Sequence, residues 1–272
     1  MAFASVTISS EQVGASALEA RFAALASAGR KALVVYVTAG HPDRARSAEL
    51  LHGLADAGAD VIEIGVPFSD PLADGPVIQA SSQVALEQGM RLDGALALVA
   101  EVRPRVPVVL FTYLNPLLAA GPSVLARAQA AGVSGLLVTD LPVGADPERE
   151  AWLGGEALAF VRLVAPTTPL ARMQEIARHG RGFVYLISRL GVTGERDTLA
   201  ADLPETVARL RAATTLPIAI GFGISTPAQA AAAARLADGV VVGSALVRAA
   251  SESVEAALTL VRSMRRALDE VD

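Results

Sequence analysis

The chain has 272 residues, 52 % of them hydrophobic, and its 28 acidic and 23 basic side chains leave a formal net charge of −5. That balance, with no basic blocks, excludes the electrostatic footprint of a nucleic-acid binder, and no run approaches the ~20 apolar residues needed to cross a bilayer. With no cysteine there is no disulfide, thiolate nucleophile or thiolate-bound metal, and His41, His52 and His179 are scattered without a metal-ligand motif.

The opening residues, MAFASVTISSEQ, lack the basic start and apolar stretch of a secretory signal, so a cytoplasmic protein is expected. A helical pattern over Ala17–Ala28 comes next, placed to cap the floor of whatever follows. The single lysine, Lys31, then precedes the first strand, which argues against Schiff-base catalysis. Eight short apolar, β-branched runs follow: Ala32–Thr38, Val61–Gly65, Val108–Tyr113, Gly135–Thr139, Leu158–Val164, Gly182–Ile187, Leu216–Gly221 and Gly239–Val242. Helical patterns separate them. In Arg44–Ala57, for example, Ser47, Leu50, Leu51, Leu54 and Ala55 form one largely apolar stripe before the stop signal at Gly58. This alternation predicts an α/β fold, a (β/α)8 TIM barrel with an extra N-terminal helix, although periodicity alone leaves barrel closure open. No linker divides the chain, so residues 1–272 are expected to form one domain.

In a parallel barrel the chemistry sits at the C-terminal ends of the strands. The second strand runs into VIEIGVPFSDPLADGPVIQAS, which puts Glu63 near such an end and Asp70 and Asp74 in the loop beyond it. A carboxylate inside a Val-Ile strand is costly to bury unless paired, hydrogen-bonded or protonated. Burial alone leaves catalytic and structural readings of Glu63 both open. Taken singly, Asp74 in Asp-Gly-Pro and Asp70 in Ser-Asp-Pro read first as turn or cap residues, since a helical pattern starts at Val77.

Near the C-terminus, GFGIS (Gly221–Ser225) ends the seventh strand and VVGSAL (Val241–Leu246) the eighth. Loops after the last two strands of a barrel commonly bind phosphate through backbone N–H groups, and Gly223, Gly243 and Ser244 suit that role. After the sixth strand, SRLGVTGERDTL has the composition of a lid that closes over substrate.

The segment EIGVPFSDPLADGP (Glu63–Pro76) resembles the signature of tryptophan synthase alpha subunits. The resemblance continues in order through YVTAGHP, TYLNP, TDLP, YLISRLGVTG, GFGIS and GSA, and so covers essentially the whole chain. It implies retro-aldol cleavage of indole-3-glycerol phosphate to indole and glyceraldehyde-3-phosphate, with Glu63 and Asp74 as the catalytic pair. It also implies that Tyr185 approaches Glu63, that Tyr36, Phe111, Tyr113 and Phe222 line an indole pocket, and that Thr193 of the lid sits beside Gly194 near the phosphate. On this resemblance Glu63, with a raised pKa, protonates indole C3 and then accepts the glycerol hydroxyl proton. Asp74 stays ionised against the indole N–H.

The resemblance further implies no metal or organic cofactor in this subunit, pyridoxal phosphate belonging to a beta subunit that receives the indole for L-tryptophan synthesis. An α2β2 complex is expected, with the loops of Asp70–Pro71 and Asn115–Pro116 facing the partner. No membrane or nucleic acid is implied. Two positions depart from the family pattern, His41 where Asp is common and Leu190 where a small or polar residue is usual. A free-standing lyase releasing indole, or a non-catalytic regulatory barrel, would be the rival readings. A generic phosphosugar isomerase would leave the second-strand signature unexplained.

Overall fold

Strands that are apolar at every position bury both faces, and a closed parallel barrel wrapped by helices provides two buried faces without leaving an edge. The computed structural model describes residues 16–155, 158–187, 202–221 and 223–271. In chain order its elements are α1 (Ala17–Ser27), β1 (Ala32–Thr38), α2 (Arg44–Leu54), β2 (Val61–Gly65), α3 (Pro76–Glu87), α4 (Leu92–Val102), β3 (Val108–Thr112), α5 (Leu114–Ala120), α6 (Val124–Ala131), β4 (Val133–Val138), α7 (Pro147–Gly154), β5 (Ala159–Val164), α8 (Leu170–Arg178), β6 (Val184–Ile187), α9 (Leu203–Ala213), β7 (Ile218–Gly221), α10 (Pro227–Ala234), β8 (Gly239–Val242), α11 (Ser244–Glu252) and α12 (Val254–Asp269). The strands pair in sequence order, all parallel, and β8 returns to β1 to close the barrel.

Strand parity sorts the side chains. Val34, Val61, Val109, Leu137, Val161, Ala219 and Val241 point inward and form one cluster. The alternate residues, among them Leu33, Val35, Ile62, Ile64, Leu110, Leu136, Ile220 and Val240, join the larger layer beneath the helices. In α2 the predicted stripe is the buried face, with Ser47, Leu50, Leu51 and Leu54 buried.

The floor is filled by α1. A capping box between Ser16 and Glu19 starts this helix, and its Leu18, Phe22 and Leu25 join the inward cluster. Each such side chain contributes about 2 kcal/mol by leaving water, and the Phe22 and Phe183 rings meet at 5.2 Å. Asp60, just before β2, clamps this end. Its Oδ2 accepts the Leu33 N–H at 2.9 Å and Arg265 Nη1 at 3.0 Å, while Oδ1 accepts Arg21 Nη2. Thus α1, β1 and α12 are tied to one buried carboxylate. Lys31 also belongs here, donating to the Ala237 carbonyl at 2.9 Å.

Strand ends shift from the sequence reading where neighbouring chain, not local composition, decides pairing. The third strand stops at Thr112 because Tyr113 takes the N-cap position of α5. The fourth begins at Val133 instead of Gly135 because an irregularity at Val108/Val109 adds a pair. The fifth, sixth and seventh begin one or two residues later than expected, at Ala159, Val184 and Ile218. The second helix ends at Leu54, ahead of Ala57. Among the described residues no helix is long and apolar enough to cross a membrane.

Candidate active site

The inward positions of β2 are Val61, Glu63 and Gly65, so parity aims Glu63 into the barrel. The side chain is 1 % exposed, and neither carboxylate oxygen has a hydrogen-bond partner among the described residues. A charge there would lose its hydration with nothing in return, and burial pushes the Glu63 carboxyl up to about 8. It is therefore mostly protonated at neutral pH and able to give a proton away.

Two tyrosines lie near it. Tyr36 stands opposite Glu63 in the β1–β2 ladder, and Tyr185 comes from β6. Burial, then the negative field of Asp74, and further that of Glu63, push the Tyr36 hydroxyl above the ordinary phenol range. Burial and then Glu63 do the same for Tyr185. Both remain hydroxyls. Each needs an empty position beside it: a Cβ on Gly65 would lie 2.0 Å from Tyr36 Oη, and one on Gly221 would lie 2.1 Å from Tyr185 Oη. These inward glycines act by lacking a side chain, a role hidden in the sequence, where a strand-end glycine reads as a turn.

Asp74 lies in the loop after β2. It does not cap α3, because Gly75 holds that position without a side-chain bond. Its Oδ2 accepts the Tyr113 hydroxyl at 3.0 Å, and that same hydroxyl accepts the Ala73 N–H at 3.0 Å. Burial pushes the Asp74 carboxyl up to about 6, with the Tyr113 hydrogen bond opposing. At neutral pH Asp74 is mostly ionised while Glu63 is mostly neutral. The aromatic wall joins them. Tyr36 and Phe111 meet edge to face at 5.2 Å and 81°, and Phe68 packs on Tyr113 at 5.1 Å. Ile78 and Val247 complete the apolar side around Tyr36.

Across the mouth, two helix N-termini follow β7 and β8, and they differ. At α10, Thr226 and Gln229 form a capping box, and Gln229 Oε1 also accepts from the backbone N–H groups of Ser225 and Thr226. At α11 the N-cap is Gly243, with no side-chain cap bond. Gly223 lies in the left-handed region at φ 79° with open space where a Cβ would be. Backbone donors at Ser244 and beyond thus face the mouth with a helix dipole behind them, an arrangement suited to an anion.

The structure brings Glu63, Asp74, Tyr36, Phe111, Tyr113 and Tyr185 together, with Gly223, Gly243 and Ser244 following β7 and β8 at the same end. Thr193, Gly194, Phe222 and Leu190 lie outside the described residues. Asp70 is an exposed turn residue whose carbonyl accepts the Leu72 N–H at 2.9 Å. Asn115 and Pro116 border a recess shared with Phe68 and Ser69. His41 is turned toward α11, its Nε2 at 2.9 Å from Ser251 Oγ. No cluster of three metal-ligating side chains occurs among the described residues.

A family profile described as tryptophan synthase alpha chain matches residues 22–271. The chain is 50 % identical over 248 residues to the tryptophan synthase alpha chain of Caulobacter sp. (strain K31), covering 89 % of this chain and 88 % of that one. With the alpha chain of Geobacter sulfurreducens it shares 47 % identity over 255 residues, covering 91 % and 97 %. Among solved structures, a Mycobacterium tuberculosis tryptophan synthase superposes with a TM-score of 0.87 at 36 % identity, covering 94 % of this chain and 99 % of that one. The alpha subunit from Legionella pneumophila str. Paris gives 0.86 at 33 %, covering 95 % and 100 %.

Proposed function

This chain belongs to the tryptophan synthase alpha chain family, whose lyase step splits indole-3-glycerol phosphate into indole and glyceraldehyde-3-phosphate; on that premise we propose that Glu63 is its proton carrier and Asp74 its fixed negative charge. The observation that carries this reading is the contrast between two buried carboxyls at one mouth, Glu63 with no partner and Asp74 held by Tyr113.

The neutral Glu63 carboxyl gives its proton to indole C3, and the ring becomes an iminium-like cation. The resulting carboxylate takes the proton of the glycerol hydroxyl. As that oxygen becomes the aldehyde carbonyl, the bond between indole C3 and the glycerol carbon breaks, and its electron pair restores the aromatic ring. Protons balance over the cycle, and Glu63 ends as it began. Asp74 accepts the indole N–H and stabilises the charge that develops there. Tyr36, Phe111 and Tyr113 form the flat apolar walls, Tyr185 stands beside Glu63, and Gly223, Gly243 and Ser244 hold the phosphate; the family resemblance adds Phe222 to the indole contacts and Thr193 and Gly194 to the phosphate contacts.

The alpha chain of this family needs no cofactor, pyridoxal phosphate being held by the beta subunit. We read residues 1–272 as one domain, working in the cytoplasm within an α2β2 complex that takes the indole on to L-tryptophan. The test is indole formation by wild-type and Glu63→Gln proteins, with and without a beta subunit. Slow wild-type cleavage that rises with the partner is expected, and the variant should lose about 10²–10⁴-fold. Plotted against pH, kcat/KM should be bell-shaped, with limbs set by Asp74 at about 6 and Glu63 at about 8. Fast cleavage indifferent to the partner would indicate a free-standing lyase, and no cleavage under any condition would overturn the catalytic reading.

A further inference from the structure

We infer that Asp140 is a positioning residue for this reaction: by accepting the Leu114 N–H from a neighbouring loop, it fixes the turn from which Tyr113 reaches Asp74. The inference rests on the role given to Asp74 above.

The geometry starts in the β3–β4 ladder, whose last pair is Thr112 with Val138. One further bond, Thr139 N–H to the Thr112 carbonyl at 3.0 Å, carries the two chains side by side past the strand ends. There β3 turns into α5, and Asp140 Oδ1 accepts the Leu114 N–H at 2.7 Å. Leu114 is the first residue of α5, and the first N–H groups of a helix have no intrahelical acceptor. An N-cap side chain satisfies the N–H of the second or third helical residue and does not reach the first. Here the N-cap is Tyr113, and its hydroxyl is committed to Asp74 and to the Ala73 N–H. The acceptor for the first N–H comes from Asp140, 26 residues beyond Leu114 in the chain. Tyr113 thus starts the helix and serves the site, while Asp140 holds the peptide that follows it.

The peptide N–H gripped by Asp140 is directly bonded to the tyrosine carbonyl carbon, so loosening it tilts the residue that carries the phenol. A merely structural cap would change melting temperature and leave chemistry alone. The test is a two-by-two comparison, Asp140→Ala and Asp140→Asn in the wild-type and Tyr113→Phe backgrounds, reading kcat, KM, the pH profile and thermal melting, with Asp74→Asn as control. In the wild-type background Asp140→Ala should lower kcat/KM by about tenfold. Its acid limb should move up, because Asp74 loses the hydrogen bond that favours its ionised form. Asp140→Asn keeps an acceptor oxygen in place and should recover most of that loss. In the Tyr113→Phe background Asp140→Ala should remove little more. An unchanged profile in Asp140→Ala, an asparagine as damaging as alanine, or the same loss in both backgrounds would overturn the positioning role while a crippled Asp74→Asn leaves the site reading standing. Full activity in Asp74→Asn would break the site reading and take this inference with it.

Discussion

Asp60 stands just before β2 and Glu63 at its middle, three residues further on, and both are 1 % exposed. At the floor, Asp60 accepts hydrogen bonds from Leu33, Arg21 and Arg265. Toward the mouth, Glu63 accepts none from the described residues. Burial alone therefore does not mark a functional carboxylate. A buried acid surrounded by donors holds parts together, whereas one left without them keeps its proton and can lend it.

Breaking the floor is the most severe test of that contrast. Asp60→Ala leaves the Leu33 N–H without its acceptor and takes one of two carboxylates from the nearly buried Arg265, which keeps Asp269 at 2.8 Å, so stability in urea unfolding should fall by about 3–4 kcal/mol. Activity per folded molecule should stay near wild type. Unchanged stability would mean that the three donors contribute nothing, and the contrast would collapse.

At the mouth the sign reverses. The folded pKa of Glu63, about 8, lies above its ordinary 4.5, so folding favours the protonated form. That contribution is fully present below about pH 4.5 and is lost as pH rises through about 8. Glu63→Gln, which cannot ionise, should escape the loss. Its stability advantage should be absent in acid and reach about 3 kcal/mol at pH 7. A variant equally stable or weaker across that window would show that Glu63 is solvated after all. Smaller still is the effect of Gly221→Ala, whose Cβ must displace the Tyr185 hydroxyl from 2.1 Å. We expect kcat/KM to fall by about tenfold, with part of the loss relieved by a second change, Tyr185→Phe, which removes the nearest of the colliding atoms and leaves Cζ at 2.4 Å.

Eight apolar runs separated by helical stripes made the barrel legible, and β1, β2 and β8 begin and end where composition places them. The other strands drift because a parallel strand ends where its neighbour stops offering partners. Glu63 was visible as a charge in an apolar strand. Asp60 gives no such signal, since an aspartate after Gly58 and Ala59 is ordinary loop chemistry. Gly65 and Gly221 were visible as glycines, but the tyrosines they accommodate are assigned to them by strand parity and barrel closure. Asp140 is further from view, for its partner lies at the start of α5 and is a backbone N–H, which no side-chain pattern announces.

Among the described residues, the plug formed by Leu18, Phe22 and Leu25 closes the floor of the barrel. With that floor closed, arrival and departure both fall to the mouth. The phosphorylated fragment and the flat aromatic one part company within a space that neither can quit from below. The order in which they go is thus governed at the rim, where the chain after β2 and β3 meets whatever lies beyond.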